Sequence, residues 1–445
     1  MVANEETLSL YPFQERGANY IQEWKRLIVA DEPGLGKTAQ AIVGLRGQYP
    51  QLVVCPSSLK LFWAQEYLRW SDVPAERIAF LWSQDKAVPE GYDVYITHWD
   101  ILRLTWQGLM RVKWAAIVAD EAHRAKNRKA LRTRALKKLD APYKVLLTGT
   151  PIVNRPDEIW SLLHFLFPQQ YRSYWRFVEE FCSVVINRWG GYEIVGIRDR
   201  EKMHRELRGK VIRRTKKTVL PELPDKRYMT IPIELYPEQI RAYTEMRDQM
   251  IARINDDTIL YAPVVLSQLM RLRQIAIGLG FFDSTNRCSS KIDAVVDFVM
   301  DRLPRKTVVC TQFVWVANQI KEALAAHKVS VGVLTGQTPM AERNVIVEDF
   351  QKNDKYSVIS MTAETGGTGF TLTAADALVF TDRPWTPAVV QQAEDRIHRI
   401  GQKDAVLIVT LLAHGTVEEK VERALRRKER MFNEMFTGKT FKELL

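Results

Sequence analysis

Three short stretches place residue types at spacings that could handle a nucleotide. Residues 32–38 read EPGLGKT, between the apolar run RLIVAD (26–31) and AQAIVGL at helical spacing. A strand, a glycine turn, Lys-Thr and a helix start make a phosphate cradle, because backbone N–H groups of the turn and the first helical turn point at phosphate oxygens. Gly34, Leu35, Gly36, Lys37, Thr38 and Ala39 are therefore the nucleotide-binding candidates. Lys37 supplies positive charge for the terminal phosphates, and the Thr38 hydroxyl can join a Mg2+ shell. In the strict pattern G-x-x-x-x-G-K-[ST] the first glycine would fall at Asp31, so the generic match is imperfect.

The second stretch is DEAH (120–123), at the end of the apolar run WAAIVAD. Asp120 there can hold Mg2+, partly through water, and Glu121 is the candidate base that orients or deprotonates an attacking water. His123, beside them, suits a coupling role. The third stretch is QQAEDRIHRIGQ (391–402), in which Arg396 and Arg399 stand three residues apart and are expected on one helix face. Two guanidiniums there could reach a γ-phosphate as arginine fingers. Upstream, TAETGGTGFTLTAAD (362–376) carries Gly366, Gly367 and Gly369, which suit a loop passing close to another backbone or a phosphate.

Positioning these residues requires an ordered scaffold, and the apolar runs supply one. A first set is RLIVAD, QLVVCP (51–56), YDVYITH (92–98), WAAIVAD and YKVLLTGT (143–150). A second is KTVVCTQF (306–313), VSVGVLTG (329–336), YSVISMT (356–362), ADALVFTD (375–382) and AVLIVTLLA (405–413). Continuous apolar runs of this length predict parallel strands covered by helices on both faces, hence two α/β lobes. Residues 152–300 lack that rhythm and read as mostly helical.

Composition narrows the function classes. The chain has 445 residues, 64 Lys+Arg and 53 Asp+Glu, a formal net charge of +11, with 46% hydrophobic and 26% charged residues. These are globular values, and no apolar run approaches the ~18 residues that span a bilayer. The first residues carry acids where a signal peptide would be basic, so neither secretion nor a membrane partner is expected. Cys55, Cys182, Cys288 and Cys310 form no C-x-x-C pair, so neither zinc nor a redox motif is expected, and the setting is expected to be a reducing cytoplasm. The positive charge concentrates in two runs. Arg124 to Lys138 holds eight basic residues and no acid, and Lys202 to Arg227 holds ten against three. Beside phosphate-handling motifs, both runs suggest contact with a nucleic-acid backbone.

In order, DEPGLGKT, DEAH, LLTGTP, TGGTGFTLTAAD and QAEDRIHRIGQ resemble the motor of the helicase-like superfamily, built from two RecA-like lobes. VIRRTKKTVLPELPDK (211–226), MRLRQIAIG (270–278) and DRPWTPAVVQQAED leading into RIHRIGQ make the chain similar to the Swi/Snf family of ATP-dependent DNA translocases. PSSLKLFWAQEYLRW (56–70) and TPIVNRPDEIW (150–160) look closest to its annealing-helicase branch.

The resemblance implies a P-loop NTPase-type, RecA-like fold: lobe 1 over 1–155, a helical protrusion and hinge over 156–225, a helical insertion over 226–300, lobe 2 over 301–416 and a closing C-terminal helix over 417–445. It implies that Gln14 reads the adenine edge and that Lys37 and Thr38 hold phosphate and Mg2+. Asp120 and Glu121 become the metal-binding acid and the base, and Arg396 and Arg399 the arginine fingers. Gly369 joins the nucleotide contacts. Thr148 and Thr150 relay the nucleotide state toward DNA, with Ser57, His123, Gly366, Gly367, Thr368 and Gln392 among the coupling or DNA-contact residues.

The implied cofactors are ATP and Mg2+, the implied partner is duplex or branched DNA, and a partner of replication, repair or nuclease type is compatible. The implied function is a DNA-dependent ATPase that translocates on DNA; a strand-separating DNA or RNA helicase and a non-hydrolysing DNA-binding scaffold are the alternatives. Three departures stand out. Pro33 replaces the usual methionine of the loop and predicts a stiffer turn. Thr371 replaces a usual asparagine, and MRLRQIAIG lacks the Asn-His-Pro that commonly follows. None of the extra modules of chromatin remodellers fits the sequence, so nucleosome remodelling is not expected.

Overall fold

The computed structural model describes residues 9–82, 87–149, 155–186, 191–253, 259–261, 264–365, 370–423 and 426. The chain divides after Pro221 into two compact units. In the first, the five predicted apolar runs form β1 (Arg26–Val29), β2 (Gln51–Cys55), β4 (Val94–His98), β5 (Ala116–Asp120) and β6 (Tyr143–Leu147), with a short β3 (Ile78–Phe80) beside β4. An antiparallel hairpin of β7 (Cys182–Ile186) and β8 (Tyr192–Ile197) comes next, and β9 (Val211–Ile212) returns to the main sheet. That sheet runs β3-β4-β2-β5-β6-β1-β9, with parallel pairings throughout.

The pleat alternates side chains between two buried faces, which is why the runs read as continuously apolar. Leu27 and Val29 enter a core with Ile21, Ile42, Val53, Trp63 and Tyr67. Ile28 and Ala30 point the other way, into a core with Trp99, Leu102, Leu146, Leu162 and Phe177. Two helices flank the loop after β1: α1 (Pro12–Trp24) leads into that strand, and α2 (Lys37–Gly44) leads out of the loop.

The second unit opens on β10 (Lys226–Ile233) and a small antiparallel hairpin of β11 (Ile251–Arg253) and β12 (Ile259–Tyr261). The second set of runs forms β13 (Lys306–Thr311), β14 (Val331–Leu334), β15 (Val358–Thr362), β16 (Ala375–Phe380) and β17 (Val406–Ala413). Their sheet is also parallel, in the order β10-β17-β16-β13-β15-β14. Val308, Cys310, Ile359 and Phe380 pack to one side, and Val309, Val358, Val379 and Leu411 to the other. After β17, residues 417–423 are helical, and Glu418 binds the fully buried Lys291 ammonium at 2.7 Å.

Two parallel α/β lobes of RecA-like type are therefore present. The stretch read as mostly helical holds helices such as Glu158–Leu166, Tyr174–Phe181 and Val265–Ile277 but also, among its described residues, six strands, β7 to β12. β9 and β10 are edge strands of the two main sheets, and an edge position tolerates Pro232 in β10 because one side of the strand needs no partner. Among the described residues, no helix is long and apolar enough to cross a membrane.

Candidate nucleotide site

The first unit gathers its chemistry at the C-terminal ends of its strands, where open parallel sheets bind ligands. Val29 of β1 and Asp120 of β5 both pair in register with Leu147 of the intervening β6. Three strand ends thus lie in one row. At ~4.8 Å per strand, the chain entering the phosphate loop runs ~10 Å from the acid.

Past β1, the loop turns into α2 through Gly36, whose φ of 71° and ψ of 37° are left-handed. A side chain there would be strained by that backbone, and its Cβ would also collide with Gln14 Nε2. No side chain caps α2, which leaves the first-turn N–H groups of its N-terminus for an anion. Lys37 Nζ donates to the carbonyls of Asp31 (2.8 Å) and Glu32 (3.4 Å), so the ammonium lies within the curve of the loop. Thr38 is half-buried beside it, and Leu35 and Ala39 are buried. Pro33 gives the expected stiff turn a specific packing role: a Cβ on Gly149 would lie 2.7 Å from its ring.

Asp120 is buried at the end of β5. Its Oδ2 accepts from Trp63 Nε1 (2.9 Å) and its Oδ1 from the Glu121 N–H (2.8 Å). Burial, reinforced by the neighbouring Glu121 carboxylate, raises its pKa to about 6. Among the described residues two donors hold this buried carboxylate, and a buried carboxylate so held favours a cation partner, which is the chemistry a Mg2+ ion would meet at Asp120. Glu121 takes a left-handed backbone (φ 48°, ψ 48°), a conformation that costs a non-glycine residue ~1–3 kcal/mol and clusters at functional sites. Its Oε2 lies 3.1 Å from His123 Nδ1. Thr148 is fully buried at the end of β6, with its N–H donating to the Val29 carbonyl (3.1 Å). Ser57 is exposed on the single turn after β2. Gln14 is buried on α1; Tyr11 N–H donates to its Oε1 (2.9 Å), and its Nε2 donates to the Leu35 carbonyl (3.2 Å).

In the second unit, the helix Pro387–Ile397 carries half-buried Gln392 and Arg396 but ends at Ile397. Arg399 lies beyond it in a turn, so the two arginines do not share a helix face as their spacing predicted. The backbone turns at His398 (φ −101°, ψ 80°), which breaks the periodicity. Both arginines still meet the same strand of loop: Arg396 Nη1 donates to the Phe370 carbonyl (3.4 Å) and Arg399 Nη1 to Thr371 Oγ1 (3.1 Å). Thr371, the departure from the family pattern, supplies the acceptor. Thr150, Gly366, Gly367, Thr368 and Gly369 lie outside the described residues.

The basic runs are less free than their charge suggests. Lys138 Nζ sits 3.4 Å from the Trp106 ring centroid, Lys137 Nζ 4.4 Å from that of Trp160, and the Arg128 guanidinium 4.2 Å from that of Tyr174. In the second run Arg213, Arg214 and Lys216 are buried. Arg213 donates to the carbonyls of Ala30 (2.9 Å) and Gly149 (3.2 Å), while the Lys216 N–H donates to Glu32 (2.7 Å). That part of the run holds the nucleotide loop and is not a surface for a polyanion. Trp63, Asp31, Gln40 and Arg214 are the residues that sequence reasoning missed. The one local signal for Arg214 is the apolar pair Val211–Ile212 preceding it, which marks an entry into a sheet.

The SNF2-related domain family matches residues 13–277, and the helicase conserved C-terminal domain matches 290–401. Similar proteins include an uncharacterized ATP-dependent helicase of Mycoplasma genitalium, 29% identical over 96% of this chain and 42% of its own length. A DNA annealing helicase and endonuclease of Bos taurus is 29% identical over 97% of this chain and 41% of its own. A SWI/SNF-related regulator of chromatin, subfamily A-like protein 1, of Xenopus tropicalis is 31% identical over 92% and 43%. The chain thus spans less than half the length of these relatives. Among solved structures, the SWI2/SNF2 ATPase core of Sulfolobus solfataricus in complex with double-stranded DNA is 28% identical, covering 98% of this chain and 95% of its own, with a TM-score of 0.46.

Proposed function

We propose that this chain, which belongs to the SNF2-related family, hydrolyses ATP in response to DNA and uses the cycle to move along duplex or branched DNA. The single observation that carries the reading is the row Val29–Leu147–Asp120, which sets the phosphate loop beside the acid pair.

ATP binds with its phosphates on the loop N–H groups and the start of α2, and Lys37 moves from the loop carbonyls to the terminal phosphates. Mg2+, held by Asp120 and Thr38, would supply positive charge to the phosphate oxygens. Glu121, beside His123, accepts a hydrogen bond from the attacking water, aims it at the γ-phosphorus and takes up the proton that the water loses. As the new P–O bond forms, the bond to the ADP oxygen breaks and ADP leaves with the electron pair. Arg396 and Arg399 are the proposed stabilisers of the charge that spreads over the transferring oxygens. Gln14 faces the adenine.

The reading is tested by phosphate-release rates over a panel of single-stranded DNA, duplex DNA, forked DNA and duplex RNA, each at low and moderate salt. Stimulation by duplex or forked DNA that weakens with salt supports it, because phosphate contacts are steeply salt-dependent. Equal rates with and without every ligand would remove the DNA-coupled function, and stimulation by RNA alone would reassign it.

A further inference from the structure

The catalytic reading leaves unexplained a buried cluster beneath the nucleotide loop. Asp31, Gln40 and Arg214 are almost wholly inaccessible, at 0%, 0% and 2% exposure. Arg214 Nε donates to both oxygens of Asp31 (3.0 and 3.1 Å), and its Nη2 donates to Asp31 Oδ2 (2.5 Å) and Gln40 Oε1 (2.6 Å). Its Nη1 donates to the carbonyl of Phe13, the residue before Gln14. Gln40 Nε2 in turn reaches Asp31 Oδ2 (3.1 Å) and the Leu35 carbonyl (3.2 Å), the same carbonyl that accepts from Gln14.

α1 has been brought as close to this cluster as chain geometry allows. At Gly17, a Cβ would overlap Gln40 Oε1 and stand 2.7 Å from Arg214 Nη2. Three consecutive elements therefore meet on one guanidinium that lies far along the chain: α1 through Phe13, the strand end through Asp31 and α2 through Gln40. Only the planar fork of an arginine can serve all three at once, since a lysine offers one point of charge. A satisfied buried network of this kind fixes geometry more than it adds stability.

We infer that Arg214 and Gln40 are positioning residues for Gln14, and that they set the preference for adenine over guanine nucleotides by fixing α1 in register with α2. The inference rests on the reading of Gln14 as the adenine-side residue. None of its side chains is among the phosphate-contacting groups proposed above, so its loss should weaken adenine recognition more than the chemical step of bound nucleotide.

The test compares kcat and KM for ATP and for GTP, with saturating duplex DNA, in the unaltered chain and in Arg214→Lys, Gln40→Ala, Gly17→Ala and Gln14→Ala. Gln40→Ala keeps the Arg214–Asp31 pair and so covers the case in which Arg214→Lys fails to fold; thermal melting identifies that case. Gln14→Ala is expected to lower the ATP-over-GTP ratio of kcat/KM. The folded positioning variants should lower it in parallel, by about tenfold, through KM and with kcat within about twofold. A merely structural role would lower the melting temperature without moving that ratio. If Gln14→Ala lowers the ratio and the folded positioning variants do not, or if they lower kcat with KM unchanged, the positioning role is wrong. If Gln14→Ala leaves the ratio intact, the adenine reading itself fails and the inference falls with it.

Discussion

The ring of Pro33 occupies the space that a side chain on Gly149 would need: a Cβ there would lie 2.7 Å from Pro33 Cγ and 2.9 Å from its Cδ. The nucleotide loop and the end of β6 are thus fitted to each other across adjacent strands.

Gly149→Ala should therefore push the loop away and destabilise the first unit, at an overpacking cost of about 1–3 kcal/mol, with a higher KM for ATP. Adding Pro33→Ala should recover much of both losses, because the ring that clashes is gone. Denaturant unfolding and ATPase kinetics on the double-mutant cycle measure this coupling. Additive effects would show that the two residues do not share the space.

Trp63, on the helix Lys60–Trp70, is the side-chain donor to Asp120, at 2.9 Å, beside the Glu121 N–H. Trp63→Phe keeps the ring and removes the donor, leaving a buried carboxylate oxygen without it. The pKa of Asp120, already raised to about 6, should rise further, and Mg2+ affinity should fall about tenfold, as for other loss of support to a metal ligand. Titration of ATPase activity with Mg2+ at pH 7.5 reads the shift; an unchanged midpoint would mean Trp63 only fills space.

Lys137 carries a pH signature. Burial, with Arg128 nearby, lowers its pKa from 10.5 to about 8. Between these values the unfolded chain holds a proton that the folded chain has released, so this group's contribution to stability rises with pH. Below pH 8 both states are protonated, and the penalty for burying the charge is present in full. Lys137→Met should be more stable than the unaltered chain at pH 7.5, by about 1–2 kcal/mol, and the gap should shrink toward pH 9.5. Urea unfolding at several pH values measures it.

The interior of both sheets was legible because a strand buried on two faces is apolar along its middle, as Leu52 to Cys55 of β2 and Val308 to Cys310 of β13 are. The edge strands β9 and β10 carry no such signature. β9 is two residues long inside a basic stretch, and β10 has four consecutive exposed residues. The phosphate loop and the acid pair were legible because their chemistry is local. Arg213 and Arg214 were not: a charge run reads as surface until its partner is known, and Asp31 lies 183 residues earlier in the chain. Arg399 was misplaced for a related reason, since a three-residue spacing cannot show that the helix has ended at Ile397.

The central claim is that Lys37, Asp120 and Glu121 form a hydrolytic site whose turnover answers to DNA. The most direct test is the rate of phosphate release with and without saturating duplex DNA, in the unaltered chain and in Glu121→Gln, alongside ATP binding by each. DNA should raise the rate of the unaltered chain, and Glu121→Gln should bind ATP normally yet lose at least about 100-fold in rate with DNA present. A Glu121→Gln chain that releases phosphate as fast as the unaltered one would contradict the assignment.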